Sequence, residues 1–129
     1  MVMYKREEPF RFQFQNPIPG TFKLLSINGV SGQSKAGSVQ VLDVSPNGLK
    51  FKSTLDLPIE RTKFLMEVSF LLNDELVRVL GEPKWKKREG TSFVYGFVGI
   101  DDEETKKEII ERLKQYAKKI STDLKNKNK

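Results

Sequence analysis

Two short stretches hold the residues best suited to grip a polar partner. Near the N-terminus, Arg6 and Arg11 lie in Lys5-Arg6-Glu7-Glu8-Pro9-Phe10-Arg11. Further along, Asp43, Ser45 and Gly48 lie in Asp43-Val44-Ser45-Pro46-Asn47-Gly48. Arginine presents a planar fork that bonds phosphate in bidentate fashion and stacks on rings. An aspartate accepts hydrogen bonds, and a serine beside it donates or accepts one. Glycine allows a turn and lets a ligand approach the backbone closely. On a strand, Asp43 and Ser45 are two apart and share a face, here expected to be the outer one. Read locally, the same six residues are simply a good hairpin turn, with Asp43 bonding its own backbone. Trp85, flanked by Lys84, Lys86 and Lys87, resembles a basic-aromatic platform for nucleic acid. The structural alternative is a lysine-rich edge strand that blocks aggregation.

What the chain lacks narrows the chemistry. It has no histidine and no cysteine. The usual general base at neutral pH and the commonest zinc ligands are therefore missing, and so are disulfides. A Ser-His-Asp triad cannot be built. An enzyme would have to work with carboxylates or lysines alone, so a binding domain is expected rather than an enzyme, with no metal and no redox cofactor.

The 129 residues suffice for one domain with one core. Hydrophobic residues at 37% and charged residues at 31% fit a soluble, folded chain. No apolar run is long enough for a membrane helix, and the N-terminus has no apolar signal core, so a cytoplasmic protein without membrane insertion is expected. The net charge is +6, of which the last twelve residues carry +4. The body is nearly neutral. The basic end reads as a solvated helix terminus whose lysines match the negative end of the dipole, so nucleic acid is not the expected partner.

The elements that must position the candidate residues follow from hydrophobic period. Residues 1–20 read as a flexible N-terminal arm, punctuated by Pro9, Pro17, Pro19 and Gly20. The alternating Phe10, Phe12 and Phe14 suggest that part of it lies extended against the body. Strands are expected over 21–27, 39–44, 49–52, 64–72, from 76 towards 85, and 93–100. Ser45-Pro46-Asn47-Gly48 turns the second into the third, with Asn and Gly tolerating positive φ. Pro83 points to an edge or a bend. The period then changes. Ile109, Leu113, Tyr116, Ala117, Ile120 and Leu124 fall at helical spacing behind the acids of Asp101 to Glu104, a helix of about five turns. The expected architecture is mainly β: a six-stranded antiparallel barrel over 21–124 closed by one C-terminal helix, with a basic tail at 125–129.

Asp43, Ser45 and Gly48 stand at the spacing of the Asp/Asn-x-Ser-x-x-Gly motif of PilZ domains, the bacterial receptors for cyclic di-GMP. With Arg6 and Arg11 upstream and Tyr95-Gly96-Phe97 running into an acidic-started helix, the whole chain resembles that family. The resemblance implies a split-barrel fold and a ligand-binding set of Arg6, Arg11, Asp43, Ser45 and Gly48. Asp43 would accept from guanine N1 and N2, and the arginines would bond phosphate or guanine O6 and N7. It also implies that the arm folds over the barrel when ligand binds and offers a new surface to a protein partner. The expected oligomeric state is a monomer or a weak dimer. The sequence departs from the family at one point. Four residues separate Arg6 from Arg11 where the family usually has three, and Glu7 and Glu8 intervene. This motivates a second reading, a degenerate PilZ domain that binds proteins and no nucleotide. A third is a small barrel that takes single-stranded nucleic acid at Trp85.

Overall fold

Phe64, Met66, Val68, Phe70 and Leu72 alternate along one strand, and all five are buried. This period-two pattern builds most of the molecule. The computed structural model describes residues 11–31, 35–100 and 103–127. Its strands are β1 Phe12–Ile27, β2 Val30–Ser31, β3 Ala36–Ser45, β4 Gly48–Ser53, β5 Phe64–Leu72, β6 Glu75–Glu89 and β7 Ser92–Gly99; helix α1, Glu103–Lys127, follows. Every pairing is antiparallel. The strand order is β2-β1-β3-β4-β7-β6-β5, and β1 also pairs with β5. Six strands thus close into a ring, the expected barrel. The two-residue β2 is an addition outside it, joined to β1 through the Asn28-Gly29 turn, where both residues have positive φ.

Three expected boundaries move. The first strand starts at Phe12 rather than Thr21, because the phenylalanine alternation outweighs the prolines: Pro17 falls in a break of the β1–β3 register between Gln13 and Ile18. Strand β6 continues past Pro83 to Glu89, again through a register break, between Pro83 and Trp85. Helix α1 has 25 residues, about seven turns rather than five, and extends into the expected tail as far as Lys127.

The core lies inside the ring. Phe51 stacks on Tyr95 with centroids 5.0 Å apart and meets Phe97 edge-on at 6.1 Å. Helix α1 covers the end near Pro46 and Gly99, burying Ile109 and Leu113. Its Tyr116 packs edge-on against Phe12 and Phe14 at 5.6 and 5.5 Å, fixing the start of β1 to the helix. The opposite end is covered by the loop 54–63. Tyr95 holds this loop by donating its hydroxyl to Leu55 O at 2.5 Å and accepting from Leu57 N at 2.8 Å. Lys86 reaches Asp56 at 2.6 Å and Leu57 O at 2.9 Å.

Candidate functional site

Two β-bulges assemble the outer face on which the candidate residues meet. In the β3–β4 ladder, Val41 opposes Phe51 and both are buried. The next pair is Asp43 with Lys50, so Leu42 is an extra residue. Without it, Asp43 would share the inward face of Val41; with it, Asp43 joins Lys50 on the outside and Val44 resumes the core opposite Leu49. The β6–β7 ladder repeats the device. Pro83 opposes the buried Phe97, Lys84 is the extra residue, and Trp85 opposes Gly96. One outward row therefore crosses four strands, from Asp43 through Lys50 and Gly96 to Trp85.

Asp43 stands on the outer face yet is only 1% exposed. Pairing of Phe12 with Val44 and Gln13 with Asp43 brings Arg11 alongside. Arg11 Nη1 donates to Asp43 Oδ1 at 2.5 Å, and Lys50 Nζ lies 3.4 Å from Oδ2. The expected solvent-facing carboxylate is instead covered by two cations. The Arg11 side chain remains 42% exposed.

Ser45 and Gly48 both belong to the turn between β3 and β4. Ser45 is fully buried, and its Oγ donates to Gly48 O at 3.3 Å, closing the turn between β3 and β4. Asn47 O accepts from Gly99 N at 2.8 Å, which ties the turn to the end of β7. The turn uses no positive φ at Asn47 or Gly48, contrary to expectation. Gly48 is needed for another reason: a Cβ there would sit 2.0 Å from Phe97 O, so only glycine lets β4 and β7 approach. Arg6 lies outside the described residues.

A cleft of about 230 Å³ opens along this row, lined by Arg11, Asn47, Gly48, Lys50, Trp85 and Gly96 among others. The Trp85 indole lies across Gly96. A Cβ at Gly96 would meet Nε1, Cε2 and Cδ1 at 2.0, 2.2 and 2.7 Å, so glycine is what allows the ring to settle there. Lys50 and Gly96 escape sequence reasoning because each reads as an ordinary strand residue. Only the register, set by the bulges, places them in the cleft. Two of the three lysines beside Trp85 are engaged elsewhere: Lys86 turns to Asp56 and Leu57 O, and Lys84 bonds Glu82 at 2.8 Å. That bond holds the Glu82 carboxyl below the usual carboxylate range.

The backbone arrangement has a solved counterpart. The crystal structure of the PilZ domain of CeSA from a cellulose-synthesising bacterium superposes with a TM-score of 0.51 over 78% of this chain and 91% of that one, at 13% identity. The fold is PilZ-like. No protein-family model matches the chain, and no curated protein matches it. In this PilZ-like barrel the Asp43–Gly48 turn leads from β3 into β4, and Arg11 stands at the first residue before β1. Among the described residues no helix is long and apolar enough to cross a membrane.

Proposed function

We propose that this chain is a cytoplasmic receptor for cyclic di-GMP, which binds in the outer cleft and passes the signal to a protein partner. One observation carries the reading. On a PilZ-like barrel, Arg11 and Asp43 meet across 32 residues of sequence, and Arg11 lines a cleft together with Lys50, the second cation on the buried Asp43. Arg11 and Lys50 suit the two phosphates, and Asp43 suits the guanine edge. Ser45 and Gly48 support the turn that follows Asp43, and Arg6 is the second arginine of the set. Phe12, Gln13 and residues 18–23 pair with β3, so this part of the expected arm already lies on the barrel.

A second reading is favoured by the Asp43 carboxylate itself. Arg11 and Lys50 already occupy it, so a nucleotide must displace one of them. A barrel that keeps this ion pair permanently would be a protein-interaction module. Isothermal titration with cyclic di-GMP, with GTP as control, separates the two. The receptor gives saturable binding that GTP does not reproduce and that Arg11→Ala abolishes while the circular-dichroism spectrum is unchanged. Absence of heat at a large excess of cyclic di-GMP leaves the module.

A further inference from the structure

We propose that the open edge of β3, at residues 36–39, takes up an extended acidic segment of a partner protein as an added strand. The inference gives the protein partner of the readings above a chemistry, and it needs no bound nucleotide. Strand β3 is longer than its neighbour β4. On one side, Ala36, Gly37, Ser38 and Val39 pair with Lys23, Phe22, Thr21 and Gly20 of β1. On the other side, the β4 ladder stops at Gln40 and Lys52. Successive residues of a strand turn their backbone groups to opposite neighbours. Lys35 O accepts from Leu24 N of β1 at 2.8 Å, so Ala36 and Ser38 turn their N–H and C=O groups to the open side. Ser38 O gives the same direction, because it accepts from Ser53 Oγ of β4 at 3.3 Å. A carbonyl oxygen has a second lone pair, so that bond does not close the edge. Ala36 and Ser38 are exposed, and among the described residues no strand pairs with them on this side. Such a row of unpaired backbone groups is a template for another chain.

The surroundings of the edge give the segment its character. Two clefts flank it and share Ser38, Ser53 and Thr54. One, of about 350 Å³, is lined by Phe22, Gly37 and Leu55 together with Lys35. The other, of about 220 Å³, is lined by Gln40, Lys52 and Ser92. An added strand points alternate side chains to opposite faces. One set would meet Phe22 and Leu55, and the other would meet Lys52. No carboxylate lines either cleft, and each holds one lysine. The Glu89 carboxylate that pairs with Lys52 lies 3.6 Å away and is itself exposed. Charge complementarity therefore favours a segment in which acids alternate with apolar residues.

The test titrates the full chain, without nucleotide, into a fluorescein-labelled heptapeptide of alternating glutamate and valine. The same peptide with lysine for glutamate is the control. Anisotropy reports binding, and amide hydrogen exchange locates it. The proposal expects the acidic peptide to saturate, the lysine peptide not to, and the Ala36 and Ser38 amides to become protected. Ser38→Pro removes an N–H aimed at the segment and none that bonds β1. It should weaken binding about 2- to 10-fold with an unchanged circular-dichroism spectrum. Lys35→Glu combined with Lys52→Glu should weaken it by a similar factor, and this surface variant carries the test if Ser38→Pro does not fold. No saturation by the acidic peptide overturns the proposal, and heat from cyclic di-GMP in the same protein then leaves the receptor standing. Peptide binding without that heat keeps the edge and leaves the module. Equal binding of the lysine peptide, or unchanged affinity in the variants, overturns the proposal. So does a dimer in sedimentation that Ser38→Pro dissolves, which assigns the edge to a second copy of the chain.

Discussion

Asp43 is an acid withdrawn from bulk water and given two cations in exchange. Removing one cation leaves a covered charge with a longer, weaker partner. Arg11→Ala should therefore destabilise the barrel, but only by about 1 kcal/mol, because Lys50 stays and the Arg11 side of the pair is open to solvent screening. Adding Asp43→Asn removes the charge that Arg11 balanced. The double variant should lose less stability than the two single variants together, which urea denaturation of the four proteins measures. Additive losses would mean that the ion pair contributes nothing. Gly48 is limited by backbone, not by ligand. Gly48→Ala drives a methyl into Phe97 O, and a loss of about 1–3 kcal/mol is expected whether or not nucleotide is present. An unchanged urea midpoint would show that β4 and β7 part easily.

The elements decide which parts of this arrangement can be read in advance. The alternation of Phe64 to Leu72 and the helical spacing of Ile109, Leu113 and Tyr116 are strong periodic signals, and the strand and helix stand where those signals put them. The place of the Asp43–Gly48 turn was equally legible, although Gly48 is required there by the approach of Phe97 O and not by a positive φ. The outer row was not. It depends on single extra residues at Leu42 and Lys84, and a bulge leaves no trace in composition while it inverts every side chain beyond it. Burial of Asp43 was hidden for a related reason: its cover, Arg11, arrives through a long-range strand pairing. Between elements, the aromatic contact of Tyr116 with Phe12 and Phe14 fixes the start of β1. Tyr116→Ala removes two edge-on contacts, each of about 0.5–1.5 kcal/mol beyond burial. Faster amide hydrogen exchange at residues 12–14, with β5 unchanged, is the expected result. Uniform acceleration across the barrel would instead show that the helix and the strand start are one cooperative unit.

For the molecule as a whole, the loop 54–63 is the cover of one barrel end, and two groups that titrate at alkaline pH hold it. The hydrogen bond to Asp56 raises Lys86 above the usual lysine value, despite the opposing effect of desolvation. Burial raises the Tyr95 hydroxyl above the usual tyrosine value. In both cases the folded state holds its proton more tightly than the unfolded chain. Their contribution is therefore complete below the unfolded values, 10.0 for tyrosine and 10.5 for lysine, and is lost as pH rises through the higher folded values. Stability should be level in this respect up to about pH 9 and fall above pH 10. Tyr95→Phe removes one of the two titrations. It also leaves the buried Leu57 N–H without its acceptor, at a cost of about 1–3 kcal/mol near neutral pH. The variant should start lower and decline less steeply, so the gap between the two proteins narrows as pH rises from 9 to 11. Urea midpoints across that range, with Lys86→Met as a second variant, measure the slopes. Parallel curves for all three proteins would show that the loop is held by Leu57 in the core and not by the bonds of Tyr95 and Lys86.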